Sequence, residues 1–431
     1  MASGVTQYSI MGLPSKPHQE NRSTRNTSPF NHLISASAAL LILISAVIYS
    51  GRYASSLEDK YVHALAALEL PQTYAGIVLQ QAAFRQADLL PVYGSSEMLD
   101  RDIPYAASIF FAAYPTGFNV IEIAKGGSTS LNIAQDLAAI GPRLNGKKVV
   151  ISFTPIIFSD PKVTEYAYAG NFSRLHAASL AFSPSLSMAV KQKAAKRMLE
   201  YPDILSKSAD PLLSFALQNL ARGTFYNHIV YALTLPLGQL DILIIRLQDH
   251  YEVWSFLQEH PNIDQASKRQ IKTIDWEAEI GRAEAQQQAI ANNNPFGIEN
   301  TTWIQEYHQV LAISQPGSGD GQFITKINNS EEWGDLAILL EILNELGAQP
   351  LILSRPINGT LSTASGVSEK GRQAFYTRLQ SLVGAYNIAL ADFQPYTNDP
   401  FFSIDDASHP SQKGWAVVDK TLDAFYHGNI R

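Results

Sequence analysis

Residues Leu89–Glu97 read LLPVYGSSE, and this stretch decides how the rest of the chain is interpreted. Its first five residues carry no charge and have the length and composition of a strand that is buried on both faces. Gly94 then allows the backbone to turn sharply, so that the side chains of Ser95 and Ser96 can stand at the end of the strand. The stretch therefore predicts a site at the edge of an open α/β sheet, where such sheets bind their ligands.

Four further apolar runs have the length of buried strands, namely residues 118–124, 147–153, 349–354 and 386–392. Helical patterns lie between them; residues 336–346, for example, carry an apolar face and end at Gly347. This alternation predicts a three-layer α/β fold in which helices cover both faces of a parallel sheet.

Residues 161–334 differ from the sequence on either side. They are rich in Ala, Leu, Gln and Lys, and they contain few strand-like runs. We therefore expect a long helical insertion between the third and fourth strands, with the core in two parts at residues 52–160 and 335–431. Two independent domains are the alternative organisation.

An apolar run without any charged residue occupies residues 33–49. With its neighbours it forms a segment over 32–51, whose length of about 20 residues is enough to cross the hydrocarbon core of a bilayer as a helix. Polar residues precede it over 1–31, which favours an uncleaved signal anchor over a cleaved signal peptide. Those first residues are rich in Ser, Asn, Pro and Thr and have little to bury, so we expect a disordered tail. Because Lys and Arg are more frequent before the span than after it, we expect this tail to be cytoplasmic. The rest of the chain is then extracytoplasmic, behind a single-pass anchor in the cell membrane.

A second apolar stretch, His228–Ile245, is interrupted by Pro236 and Asp241. Because a carboxylate inside a membrane is costly, this stretch is interpreted as a buried or membrane-abutting helix rather than a second span.

The composition excludes several classes of site. The chain has 431 residues and no cysteine, which excludes disulfide scaffolds, thiolate zinc sites, iron–sulfur clusters and cysteine nucleophiles. Its formal net charge of -7 argues against a nucleic-acid partner. Its histidines do not recur at the spacing of metal ligands, so we expect neither a metal nor a cofactor.

Near the C-terminus, Asp406 and His409 are three residues apart. In a turn this spacing places both side chains on one side, so that the carboxylate can orient the imidazole and leave its second nitrogen free to accept a proton. A serine needs such a base because its hydroxyl is a weak nucleophile by itself. Ser96, at the end of the first strand, is the predicted nucleophile, and the order Ser…Asp…His fits a catalytic triad. The Gly126-Gly127 block after the second strand offers backbone N–H groups to an oxyanion.

These motifs together resemble the pattern of the SGNH (GDSL-like) hydrolases. The resemblance implies that Ser96 is the nucleophile, Gly127 the oxyanion glycine, and Asp406 and His409 the acid and base.

The chain departs from that pattern at two positions, which a narrower resemblance explains. Ser95 stands where Asp is usual, and Thr154 with Pro155 stands where an oxyanion Asn is usual. An N-terminal anchor, the sequence GSSE, and a strand that ends in a (S/T)-P-x-x-F element resemble the DltD family. The resemblance covers residues 33–160 and 335–431, and Ser95, Gly127 and Thr154 become its candidate oxyanion and substrate-binding residues.

The resemblance implies a function outside the cell membrane. Members of that family take part in the D-alanylation of teichoic acids, so we expect a serine acyltransferase or thioesterase that acts on a cell-envelope polymer. The implied partners are a multi-spanning (DltB-like) membrane O-acyltransferase and an acyl carrier protein. Two alternatives stay open: an esterase or O-acetyltransferase of an exported polysaccharide, and a non-catalytic subunit that positions the membrane acyltransferase.

Overall fold

The structure is a computed structural model that describes residues 29–68, 70–99, 102–159, 161–207, 210–263, 270–309, 311, 313–405 and 408–430. The chain divides into two units, residues 1–50 and 51–431, and each is described by itself. Most of the predicted tail over 1–31 lies outside the described residues.

Helix α1, Pro29–Ala66, contains the predicted membrane segment. Its apolar side chains are exposed, with Leu41 at 65% and Ile42 at 69% of their surface. The helix is long and apolar enough to cross a membrane. Its last residues belong to the second unit, in which Val62 and Leu65 are fully buried.

The second unit is built on a five-stranded parallel sheet. Its strands are β1 (Leu89–Gly94), β2 (Asn119–Ala124), β3 (Lys148–Phe153), β4 (Gln349–Ser354) and β5 (Ala389–Asp392), in the order β2-β1-β3-β4-β5. All four pairings are parallel. The five predicted strands are confirmed, although β5 begins three residues later than expected. Asn387, at φ 54°, belongs to the turn after the preceding helix, and its N–H bonds to Gly384 rather than to the sheet.

Helices connect these strands and make up most of the unit. In chain order they are α2 (Pro71–Tyr74), α3 (Val78–Arg85), α4 (Ala107–Ala113), α5 (Ser130–Ile140), α6 (Pro161–Asn171), α7 (Arg174–Ala181), α8 (Met188–Met198), α9 (Pro202–Lys207), α10 (Pro211–Arg222), α11 (Phe225–Glu259), α12 (Trp276–Ile290), α13 (Asn300–Thr302), α14 (Asp320–Asn329), α15 (Glu332–Glu345), α16 (Gly359–Ala364), α17 (Glu369–Ala385) and α18 (Gln412–Tyr426). Between β3 and β4 the described residues form helices α6 to α15 and no strand.

Two apolar cores lie on the two faces of the sheet. Tyr93 and Ile151 point into the larger core, which α3, α5, α7 and α15 cover. Their neighbours Val92 and Val150 point into the smaller one, which α4, α12 and α18 cover. Because successive strand residues face opposite sides, the uncharged strands are buried on both faces. The predicted α/β fold with a covered parallel sheet is thus confirmed.

Candidate active site

Ser96 and His409 meet at the carboxyl end of the sheet. Ser96 is the first residue of a short 3₁₀ helix, Ser96–Met98, directly after β1. Its Oγ lies 3.0 Å from His409 Nε2, although the two residues are 313 positions apart. Ser96 is half-buried, so a substrate can still reach its hydroxyl. This is the distance at which an imidazole accepts a serine proton.

The loop that carries His409 is fastened to the fold at both ends. Ser403 and Pro410 form an antiparallel bridge, and the Ser411 N–H bonds to Phe402 O at 2.9 Å. Ser408 adopts φ 70°, a left-handed conformation that serine rarely takes and that reverses the chain just before the histidine. These contacts fix the position of the imidazole.

Asp405 is the carboxylate that contacts the second nitrogen of the His409 imidazole, Nδ1, among the residues that the structure describes. Its Oδ2 is hydrogen-bonded to His409 Nδ1, and its Oδ1 accepts the His409 backbone N–H at 3.2 Å. Asp405 is not among the residues predicted from the sequence, because the predicted motif pairs Asp406 with His409 at a spacing of three. Asp406 itself lies outside the described residues. The sequence does contain a signal for Asp405, because two aspartates are adjacent here and Asp405 is the one that lies four residues before His409.

The Gly127 loop approaches Ser96 from the end of β2. Gly127 has φ 77°, a conformation that favours glycine, and its N–H donates to Ser95 Oγ at 2.8 Å. A Cβ on the neighbouring Gly126 would lie 3.9 Å from the Ser96 Cβ, which shows how closely the loop passes Ser96. The structure therefore brings Ser95, Ser96 and Gly127 close together, while their roles in an oxyanion site stay predictions.

Helix contacts hold this glycine loop from two sides. Thr129 caps α5, with its Oγ1 accepting the Asn132 N–H at 3.3 Å and its own N–H donating to Asn132 Oδ1 at 3.2 Å. Asn171, the last residue of α6, donates from Nδ2 to Gly126 O at 3.1 Å. Helix α6, which follows β3, thus contacts the loop that carries the candidate oxyanion residue Gly127.

Thr154 follows β3, the strand beside β1. It is 3% exposed and immediately precedes the 3₁₀ helix Pro155–Phe158. The structure places it at the same edge of the sheet as Ser96, without a hydrogen bond between the two among those described.

Glu97 supports the nucleophile turn from beneath. Both of its carboxylate oxygens accept the Ser95 N–H, each at 3.1 Å, and the side chain is 2% exposed. A Cβ on Gly94 would come within 2.5 Å of Met98 Cγ and 2.8 Å of Glu97 Oε1. Gly94 is therefore needed for close packing rather than for an unusual φ.

Arg355, which the sequence analysis missed, is buried behind this turn. Its Nε donates to Ser152 Oγ at 3.0 Å, and its guanidinium stacks on Trp415 with 5.1 Å to the ring centroid. Burial lowers the Arg355 pKa to about 10, while Glu97 is the first of three acids that oppose this change. The signal in the sequence was a charged residue directly after an apolar strand.

Glu332, at the start of α15, supports α5 from the other side. Its Oε1 accepts the Ser130 N–H at 2.5 Å, and the side chain is fully buried. Burial, together with the charge of Asp335, raises the Glu332 pKa to about 8. From the sequence, the acidic pair Glu331 and Glu332 is expected to be a solvated helix start, and the burial of Glu332 contradicts that expectation.

Within the part of the chain that the structure describes, no group of three His, Asp or Glu side chains is arranged to hold a metal ion. The residues that meet at the sheet edge are hydroxyl, imidazole and carboxylate groups, which suits acyl transfer through a serine ester.

Comparison with known proteins agrees with the resemblance seen in the motifs. The chain matches the family model described as "DltD protein" over residues 70–427. It is 28% identical over 392 residues to Protein DltD of Bacillus subtilis (strain 168), which covers 89% of this chain and 96% of the relative. It is 25% identical over 361 residues to Protein DltD of Staphylococcus aureus (strain NCTC 8325 / PS 47), covering 81% and 84%. For Protein DltD of Lacticaseibacillus rhamnosus the identity is 24% over 339 residues, covering 78% and 77%. The chain belongs to the DltD family.

Proposed function

We propose that this DltD-family chain is a membrane-anchored serine acyltransferase or thioesterase that takes part in the D-alanylation of teichoic acid or a related cell-envelope polymer. The observation that carries the chemical part is the 3.0 Å contact between Ser96 Oγ and His409 Nε2 at the carboxyl edge of the sheet. Family membership carries the biological part.

The reaction begins with attack of Ser96 Oγ on the carbonyl carbon of an activated acyl group, such as a D-alanyl thioester. His409 Nε2 takes the hydroxyl proton as the C–O bond forms. The tetrahedral intermediate then expels the thiolate, which receives the proton from His409, and an acyl ester remains on Ser96. A polymer hydroxyl or water attacks this ester with His409 again as the base, and Ser96 is regenerated.

An aspartate on Nδ1 keeps the imidazole in the tautomer that can accept the serine proton. Asp405 makes this contact in the structure. Asp406, which the spacing and the resemblance predict, is the competing assignment, and single substitutions separate the two.

The oxyanion of the intermediate needs N–H or O–H donors at the end of β1. We assign this role to the backbone N–H groups of Ser96 and Gly127 together with the Ser95 hydroxyl. In the structure Ser95 Oγ accepts the Gly127 N–H, so this N–H reaches the oxyanion only when it exchanges that bond for the substrate oxygen, whereas the proton of the Ser95 hydroxyl can be donated to the substrate oxygen directly. Thr154 is proposed as a further substrate contact from the neighbouring strand.

The anchor places this chemistry at the membrane. Helix α1 is long and apolar enough to span it, and the distribution of Lys and Arg around the span favours an extracytoplasmic catalytic domain. With one predicted anchor, the chain depends on a multi-spanning membrane O-acyltransferase, and on an acyl carrier protein, to deliver the acyl group from the other side.

A fluorophosphonate probe tests the proposed nucleophile, because it reacts only with activated serines. We expect the wild-type chain to be labelled, the Ser96→Ala variant to stay unlabelled, and the Ser95→Ala variant to keep its labelling. Acyl transfer in membranes of a deletion strain, complemented with wild type or Ser96→Ala, tests the reaction itself. If active wild-type protein is not labelled, or if Ser96→Ala restores transfer, the chain is the non-catalytic subunit instead.

A further inference from the structure

Helix α11 carries an apolar face that faces away from the rest of the protein. The helix is 35 residues long, and among the described residues it is one of two helices apolar enough to qualify as a membrane span. Side chains three or four positions apart share one face of a helix. The exposed apolar positions that recur at this spacing are Tyr226 (72% exposed), Ile229 (46%), Leu233 (74%), Leu237 (58%), Leu240 (53%) and Ile244 (58%).

The opposite face of α11 is packed into the protein, which fixes the rotation of the helix about its axis. Tyr231 is buried and donates its hydroxyl to Ala181 O at 2.7 Å. A Cβ on Gly238 would lie 2.4 Å from the ring of Phe182, so any side chain at this position would collide with the ring. The helix therefore cannot turn its apolar face inward without losing this packing.

The exposed face is also free of charge. Between Phe225 and Ile245 the only charged side chain is Asp241. It pairs with Arg174 at 2.7 Å, and the same guanidinium holds Asp210 at 2.6 Å. The one acid in this stretch is thus ion-paired within the protein, through a guanidinium that it shares with Asp210.

The contact between α11 and the helix of the membrane anchor indicates what this apolar face binds. The apolar run of α1 ends near Ser50, and eight residues later Glu58 contacts His250 of α11 with 2.5 Å between Oε1 and Nδ1. Eight helical residues span about 12 Å. The contact therefore ties α11 to α1 about 12 Å along α1 from the end of its apolar run.

Aromatic side chains frame the aliphatic stretch, as expected for a surface that meets lipid. Phe225 and Tyr226 lie at one end, and Tyr251 (61% exposed) and Trp254 (40%) lie beyond the other. Such rings favour the boundary between headgroups and acyl chains. The stretch between them, from Ile229 to Ile244, carries mainly aliphatic residues on its exposed side, and the polar exception is Gln239, whose amide donates to Phe182 O at 2.7 Å.

We propose that this apolar face of α11 lies in the surface of the lipid bilayer, so that the catalytic domain is held to the membrane at a second place besides α1. The inference rests on the proposed anchoring through α1. A domain held at two places cannot rotate freely about its tether, so its active site is presented to membrane-bound partners in one orientation.

The natural absence of cysteine makes the test direct, because a single introduced cysteine carries the only thiol label. The full chain is reconstituted into phosphatidylglycerol–phosphatidylethanolamine vesicles with brominated acyl chains, which quench a fluorophore only on contact. The reporters are Leu233→Cys and Leu240→Cys. The matched control is Ala285→Cys, an exposed position of α12, which packs on the other side of the sheet. Leu41→Cys in α1 reports on the anchor separately.

We expect the brominated lipids to reduce emission at 233 and 240 at least about twofold more than at 285, as for a face that is buried at the acyl boundary. Quenching at 41 without quenching at 233 and 240 would overturn this inference and leave the anchoring intact. Absence of quenching at 41 would instead refute the anchoring. If 233 and 240 are shielded from water-soluble quenchers but not quenched by lipid, the face binds a second copy of the chain, which also overturns the proposal.

Discussion

The Ser95 hydroxyl oxygen accepts the backbone N–H of Gly127 at 2.8 Å, which links the turn after β1 to the glycine loop after β2. Both partners of this bond stand beside Ser96. The distance between Ser96, the proposed nucleophile, and the glycine loop, which carries a proposed oxyanion donor, therefore depends on the side chain of the residue just before Ser96.

Replacing Ser95 tests that link. We expect Ser95→Ala to slow acylation by about 10²-fold, the usual effect of losing one oxyanion donor, while the fluorophosphonate label is still formed. Single-turnover acylation rates measure this. Ser128→Ala is the matched control, because the Ser128 hydroxyl bonds only to the Lys125 carbonyl at 2.8 Å among its described contacts. Equal acylation rates for the Ser95→Ala and Ser128→Ala variants would show that Ser95 does not take part in the reaction.

The aspartate on His409 can be identified by two amide substitutions. An amide on Nδ1 favours the wrong tautomer and costs about 10⁴-fold in rate in a serine protease triad. Because the described contact is made by Asp405, we expect Asp405→Asn to cause the larger loss in acylation rate. A larger loss in Asp406→Asn would return the role to the residue that the spacing predicts.

Arg355 is expected to be important for stability. It is fully buried, and Glu97, Asp419 and Glu122 are the acids whose charges act on it. Removing one partner of such a cluster leaves buried charge uncompensated, so Arg355→Met should lower the free energy of unfolding by about 3–5 kcal/mol. Chemical denaturation measures this change. Lys193→Met, which breaks an exposed pair with Glu341, should change the stability by less than about 1 kcal/mol.

Glu332 should make the stability depend on pH. Its pKa is raised to about 8 from an ordinary value of 4.5, and that of Asp335 to about 6, mainly by burial. Between these ordinary and raised values the folded chain binds more protons than the unfolded chain, so the free energy of unfolding falls as the pH rises. For one proton the slope is at most about 1.4 kcal/mol per pH unit.

The Glu332→Gln variant separates the two acids. It keeps an oxygen that can accept the Ser130 N–H but cannot ionise. We expect the fall in thermal stability between pH 6 and pH 8 to disappear in this variant, and at lower pH only the part of the fall that belongs to Asp335 to remain. A wild-type stability that is flat between pH 6 and pH 8 would contradict the raised pKa.

The sheet was predictable because each strand carries its own signal. Buried parallel strands need uncharged runs of about six residues, and such runs can be recognised without knowing their neighbours. The placement of Ser96 and His409 at the sheet edge was predictable for a related reason, since each follows a strand or lies in a short motif, and their catalytic roles stay predictions. Asp405 was missed because it is adjacent to Asp406, and only the conformation of the loop decides which of the two carboxylates reaches His409. Arg355 and Glu332 were missed because their partners, Ser152 and Ser130, lie 203 and 202 residues away in the chain.

The sequence by itself determined the apolar N-terminal segment, the five strands and the identity of the residues at their ends, because these depend on local composition and spacing. Only the tertiary structure decided that Ser95 binds Gly127 and that one face of α11 is packed while the other is exposed. Such contacts join residues that are far apart in the chain. Their geometry follows from how strands and helices pack together, which no local pattern contains.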